Sequence, residues 1–179
     1  MLARALVRLA AGASAALLAA CAALAPPPPV SLEGLPTSFD MAGRLSVAQD
    51  GAGEIVRIRW THRDDRDEIA LSTPVGGDLA LIEGGGAGGY LLNRPGHTPI
   101  EYGTFSDLTS HLLSASIDRA QFIAWLHGRV PTGAAAQGWA VDVPETQEAS
   151  GRTVARRVVA TREQSVVKLV VDRYRTPSE

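Results

Sequence analysis

The stretch Ile55-Val56-Arg57-Ile58-Arg59-Trp60-Thr61, "IVRIRWT", places Val56, Ile58 and Trp60 at every second position, with Arg57, Arg59 and Thr61 between them. Successive side chains of a strand point to opposite faces, so this alternation means a strand with one face buried and one in water. The residues before it repeat the pattern. Phe39, Met41, Leu45 and Val47 alternate with Asp40, Arg44 and Ser46, and Gly43 falls in the apolar register. Half-wet strands of this kind belong to antiparallel sheets. Downstream, "DEIALST", "DLALIEG", "GGYLLNR" and "TPIEY" read as four more strands divided by turns that carry Gly and Pro. Their short spacings favour a meander over crossover connections.

Then the period changes. "TFSDLTSHLLSA" offers Thr104 as an N-cap and Phe105, Leu108 and Leu112 at helical spacing; "SIDRAQFIAWLHG" offers Ser116, Phe122, Ile123, Leu126 and a closing Gly128. Strands resume at "GWAVDV", "RTVARRVVAT" and "QSVVKLVVDRYR". The expected class is mainly β (α+β), an antiparallel sheet interrupted by a helical insertion that packs on one face or caps one end.

The N-terminus is of another kind. Arg4 and Arg8 precede an apolar, alanine-rich run from Leu9 to Ala20 that ends in small residues, the layout of a secretory signal peptide over residues 1–20. A membrane-spanning anchor fits less well, because alanine contributes little insertion energy and Pro26–Pro29 ends any helix. Leu18-Ala19-Ala20-Cys21 resembles the bacterial lipobox, which implies that Cys21 is consumed as an acylated thioether. Three chains of about fifteen methylenes, at ~0.8 kcal/mol each, anchor with roughly 35 kcal/mol. By the same resemblance, Ala22 after the cysteine implies the outer membrane. Residues 21–37 then form the acylated cysteine and a Pro-rich, polyproline-type tether, and residues 38–179 the folded domain.

Of 179 residues, 159 follow position 20, enough for one domain with a sizeable core. Losing Arg4 and Arg8 leaves 15 cationic against 19 acidic side chains, a net charge of −4 that does not favour nucleic acid. A lone cysteine makes neither an internal disulfide nor a thiolate metal site. His62, His97, His111 and His127 are scattered without metal-ligand spacing, so no metal, cofactor or catalytic group is expected. Asp64-Asp65 and Asp67-Glu68, interleaved with Arg63 and Arg66, read as a solvated turn. Gly84–Gly89 satisfies GxGxxG, but a strand follows it rather than a helix N-terminus, so a hairpin connection is expected. Thr73-Pro74-Val75-Gly76-Gly77 puts an aliphatic residue at a turn tip.

Together "FDMAGRLSV", "RWTHRDDRDEIALSTPVGGDLALIEG", "FIAWLHGRVP", "GWAVDV" and "VVKLVVDRY" resemble the LolB family of outer-membrane lipoprotein receptors, from about Phe39 to Tyr174. The resemblance implies an incomplete, strongly curved antiparallel β-barrel with a helical lid over an apolar cavity. It implies a monomer, lipid-anchored at the outer membrane and facing the periplasm, which accepts acylated lipoproteins from a LolA-like carrier and inserts them into the bilayer. In the family an aliphatic residue, typically leucine, in a protruding loop promotes insertion; Val75 occupies that position here. The family's last strand commonly ends in tryptophan, where this chain has Tyr174. The positions expected to meet lipid are Leu45, Ile58, Trp60, Leu71, Leu79, Leu81 and Leu169 on strands, with Phe105, Leu112, Phe122 and Leu126 on the lid. Two other functions stay open at this level: a membrane-tethered barrel for a small apolar ligand, and a structural lipoprotein.

Overall fold

The computed structural model describes residues 28–49 and 52–177. The signal peptide, Cys21 and the first part of the tether lie outside the described residues. The chain runs β1 (Ser38–Gln49), β2 (Ala52–Arg63), β3 (Arg66–Ser72), β4 (Asp78–Gly85), β5 (Tyr90–Asn93), β6 (Ile100–Tyr102), α1 (Phe105–Leu113), α2 (Arg119–Leu126), β7 (Ala140–Ala149), β8 (Arg152–Arg162) and β9 (Ser165–Arg175). The strands form one sheet in the order β6-β5-β4-β3-β2-β1-β9-β8-β7, and every pairing is antiparallel. Two meanders therefore share β1 and β9 as a seam. Because β6 and β7 do not pair, the barrel stays open.

Alternation in the sequence becomes alternation in burial. Phe39, Met41 and Leu45 on β1 and Ile58 and Trp60 on β2 are buried, while Arg44, Arg57 and Arg59 between them are exposed. Val167, Leu169 and Val171 continue the inner face on β9. Gly43 keeps the apolar register for a steric reason. A Cβ there would lie 2.1 Å from the Val170 carbonyl oxygen, and the β1–β9 register shifts at this point. Glycine lets the seam strands approach and bend.

Thr104 caps α1 as expected: its Oγ1 accepts from the Asp107 N–H at 3.0 Å. The second helix starts later than the sequence reading placed it. Its N-cap is Asp118, which accepts from the N–H groups of Ala120 and Gln121, while the Gln121 side chain accepts from the Asp118 N–H. This capping box outcompetes Ser116, whose carbonyl instead accepts from the Trp139 indole at 3.2 Å. Gly128 follows the helix in the left-handed conformation. The glycine run closes the β4–β5 hairpin through a short 3₁₀ turn, Gly86–Gly88, with no helix to receive a phosphate. No helix among the described residues is long and apolar enough to cross a membrane.

Candidate functional site

Both helices lie over the inner face of the sheet, and between them is an apolar cavity of about 30 Å³. Leu45, Ile58 and Leu71 reach it from the strands, and Phe105, Leu112 and Phe122 from the lid. Five further residues line it that the sequence did not mark as meeting lipid: Ile69, Ile82, Leu108, Thr109 and Leu113. Thr109 is its one polar side chain. The hydroxyl donates within 3.1 Å of the Phe105 and Ile117 carbonyls and accepts from the Ile117 N–H, so it is spent on the helix and on the chain leading to α2. The cavity therefore offers apolar contact and nothing that could orient a polar substrate.

Three of the expected positions are core beneath or beside the cavity. Trp60 is 1% exposed and stacks on Phe122 at 5.4 Å and on Phe105 at 6.3 Å, so it is the floor on which the lid rests. Leu169 pairs with Leu45 across the seam, and Leu126 is fully buried at the end of α2. Two expected positions face the other way. Ile82 pairs with Ile69 and faces inward, which sends Leu81, opposite Ala70, to the outer face. Leu79 is 39% exposed, beside a register shift at Leu71–Ser72. In "DLALIEG" both faces are apolar, so hydrophobicity alone does not choose between them.

A second correction concerns the acidic turn. Asp67 is not solvated; its side chain is fully buried and accepts four hydrogen bonds. Oδ1 takes the Trp60 indole N–H at 2.8 Å and His62 Nδ1 at 2.7 Å, and Oδ2 takes Tyr90 Oη at 3.0 Å and Arg119 Nε at 2.6 Å. Burial pushes the carboxyl up, but the hydrogen bond from His62, the Arg119 charge and the Trp60 hydrogen bond outweigh it and hold Asp67 below the usual carboxylate range. Burial first, and then the Asp67 charge, raise the Tyr90 hydroxyl, which stays a donor. This knot joins β2, β3 and β5 to the first residue of α2. It is a latch between lid and sheet.

A smaller latch holds the other end of α2. His127 Nδ1 donates to the Ile123 carbonyl at 2.8 Å, so Nε2 is left to accept from Tyr174 Oη at 2.8 Å. Burial lowers the His127 pKa and pushes Tyr174 up to about 12, which keeps both partners neutral in these roles. The aromatic residue that ends the last strand thus has a role in this chain: its hydroxyl ties β9 to the lid.

Val75 stands apart from the cavity. It is 96% exposed on the β3–β4 turn. The Thr73 N–H donates to the Gly77 carbonyl at 2.8 Å, the Gly77 N–H to Thr73 Oγ1 at 2.9 Å, and Gly76 supplies a φ of 101°. Such a braced turn presents its apolar tip to whatever the domain touches. A far larger recess, about 1030 Å³, is an open groove on the outer face where Glu68, Glu83 and Glu101 share space with Arg63 and Arg66. Its charged lining is unsuited to acyl chains.

Compared with known proteins, residues 37–174 match the family described as Outer membrane lipoprotein LolB. The chain belongs to the LolB family. An outer-membrane lipoprotein LolB of Azoarcus sp. is 25% identical over 157 residues, covering 80% of this chain and 81% of the relative. LolB of Chromobacterium violaceum is 27% identical over 146 residues, covering 76% and 79%. Among solved structures, a LolA superfamily protein from Nitrosomonas europaea superposes with a TM-score of 0.53 at 12% identity, covering 79% of this chain and 87% of that one. A DUF1329 family protein from Desulfovibrio piger superposes with a TM-score of 0.56 at 9% identity, covering 80% and 87%. The LolB fold described here, an open curved barrel with two helices on its inner face, is shared with both.

Proposed function

We propose that this chain is an outer-membrane receptor that takes acylated lipoproteins from a LolA-like periplasmic carrier and passes them into the bilayer. The observation that carries the reading is the cavity between lid and sheet in a LolB-family domain, lined by aliphatic and aromatic side chains and by Thr109, whose hydroxyl is bonded to the backbone. Roughly 35 kcal/mol of acyl burial cannot be released into water on a useful timescale, so the cargo must move between apolar sites that shield it. The chemistry this chain supplies is therefore binding and release.

Transfer runs down an affinity gradient, from carrier to receptor to bilayer, without a nucleotide. Lid residues Phe105, Leu112 and Phe122 separate from Leu45, Ile58 and Leu71 to admit acyl chains. About 30 Å³ holds one or two water-sized groups, so loading requires that separation. Acylated Cys21 holds the protein, as a monomer, on the periplasmic side of the outer membrane, and Val75 enters the bilayer at the point of delivery. Depleting the protein tests the reading: lipoproteins should accumulate on the soluble carrier or at the inner membrane. Normal outer-membrane lipoproteins after depletion would refute it, and saturable preference for free fatty acid over an acylated peptide would favour a small-ligand barrel.

A further inference from the structure

The outer face at the centre of the sheet carries cations in positions set by strand register. Arg57 on β2 lies directly opposite Arg44 on β1, and Arg59 lies opposite Ala42. On the other side of β1, Lys168 pairs with Ser46 and Arg173 with Ala42. All five cationic residues are exposed. Asp172 holds Arg44 at 3.0 Å, and farther along the face Glu145 holds Arg156 and Arg157. Among the described residues, Arg57, Arg59, Lys168 and Arg173 take part in no ion pair. Like charges directly opposite across strands oppose folding, so the Arg44–Arg57 pairing works against stability while Asp172 counters it from β9.

This face leads into the turn that carries Val75. Arg57 pairs with Ser72, where β3 ends, and Asp78 lies beyond it. Three of the four exposed large apolar residues among those described lie beside these cations or on the turn: Ile55 at 57%, opposite Ser46, Val75 at the tip, and Leu79 at 39%, just past it; the fourth, Val130, follows α2. Toward the other end of the sheet the face becomes mixed in charge: Glu68 pairs with Glu83, Glu101 follows two strands beyond, and all three share a groove with Arg63 and Arg66. Cations flanked by exposed aliphatic side chains match the boundary of a bilayer, where apolar groups reach the acyl region and cations stay at the phosphates.

We infer that the outer face of β1, β2 and β9 is a docking surface for anionic phospholipid headgroups, seating the domain on the bilayer with the Val75 turn at its edge. The inference rests on reading that turn as membrane-facing, and it adds the lipid charge that the seated domain prefers. Nucleic acid is disfavoured as the occupant by the net charge of −4 after position 20.

Lys168 is the only lysine in the chain, so a membrane-impermeant amine reagent followed by peptide mapping reports on this face alone. The acylated full-length protein is added to preformed vesicles, either purely zwitterionic or one-third anionic. Labelling of Lys168 should slow by at least about fivefold on the anionic vesicles and recover at high salt. The double variant Arg57→Ser/Arg59→Ser should label quickly on both, with a thermal melt no lower than that of the unaltered protein, since it relieves the Arg44–Arg57 repulsion. Equal labelling of the unaltered protein on both vesicle types overturns the inference. So does protection that appears on zwitterionic vesicles only when carrier protein is added, since the face would then dock protein. Val75→Glu separates the two readings: normal cargo insertion by that variant would remove the turn's role alone, whereas loss of Lys168 protection with insertion still sensitive to Val75 would remove the headgroup surface alone.

Discussion

Arg119 Nε lies 2.6 Å from Asp67 Oδ2 across 52 residues of chain, and the contact joins the first residue of the second lid helix to the third strand of the sheet. Removing one partner of such a pair leaves the other buried and uncompensated. Arg119 is 23% exposed, which lets water replace part of its charge. Arg119→Ala should therefore destabilise by about 2–3 kcal/mol, below the ~3–5 kcal/mol of a fully buried pair. The same variant should bind an apolar fluorescent probe faster, because α2 loses its anchor; stopped-flow mixing against denaturant-monitored stability separates the two effects.

Asp67 also makes the fold acid-sensitive in a stated direction. Its folded pKa is lowered by His62, Arg119 and Trp60 against the opposing effect of burial, so its contribution is complete above the unfolded carboxylate value of ~3.9 and is lost as pH falls through the folded value. Asp67→Asn should be less stable than the unaltered protein at pH 7, and the gap should narrow below about pH 4. Melts of both proteins from pH 7 to pH 3 check it; a constant gap would mean that Asp67 is not charged in the folded state.

Tyr174→Phe deletes the donor to His127 Nε2 and leaves a buried acceptor unpaired, at a cost of about 1–3 kcal/mol. His127 is held neutral by burial, with its pKa lowered, so its contribution is complete above ~6.5 and fades as pH falls toward the lowered folded value. The end of α2 should accordingly show lower amide protection, measured against the intrinsic exchange rate at each pH, in the variant and in the unaltered protein at mildly acidic pH.

Val75→Glu should fold and accept cargo from the carrier normally yet fail to deliver it to vesicles, because a charge at the tip opposes insertion. Val75→Leu adds one methylene, ~0.8 kcal/mol if buried, and should speed delivery up to about fourfold. Delivery of a labelled lipoprotein to vesicles, with carrier-to-receptor transfer measured in parallel, distinguishes this from a role in the cavity.

Leu112 is half-buried on α1 and lines the cavity. Leu112→Ala should cost less than the ~2–5 kcal/mol of a fully buried leucine, and should raise the affinity for an apolar probe by enlarging the space beneath the lid. Probe titration against the unaltered protein measures the difference.

Much of the frame was legible in local patterns. Where one face of a strand is apolar and the other charged, as in Val56–Arg57–Ile58–Arg59–Trp60, the period names the inner residues directly. Where both faces are apolar, as in Leu79–Ala80–Leu81–Ile82, the choice depends on the partner strand: Ile69 opposite Ile82 decides it, with the register shift at Leu71–Ser72. Asp67 was concealed for a different reason. It stands among other acidic residues, and its burial follows from cross-strand pairing with His62 and from an arginine brought in by the helical insertion. His127 and Tyr174 likewise meet only after β9 has joined β1. Alternation records which face of a strand is wet; it does not record long-range closure.

The 30 Å³ between lid and sheet has a consequence for release. A site this full is occupied by its own side chains, so under the proposed function Phe105, Leu112 and Phe122 would compete with the cargo for the same surface. Opening takes free energy from every binding event, and the apparent affinity falls by the fraction of molecules that stand open. Self-occupancy of this kind keeps a relay from becoming a trap: when the acyl chains depart, the lid refills the space behind them.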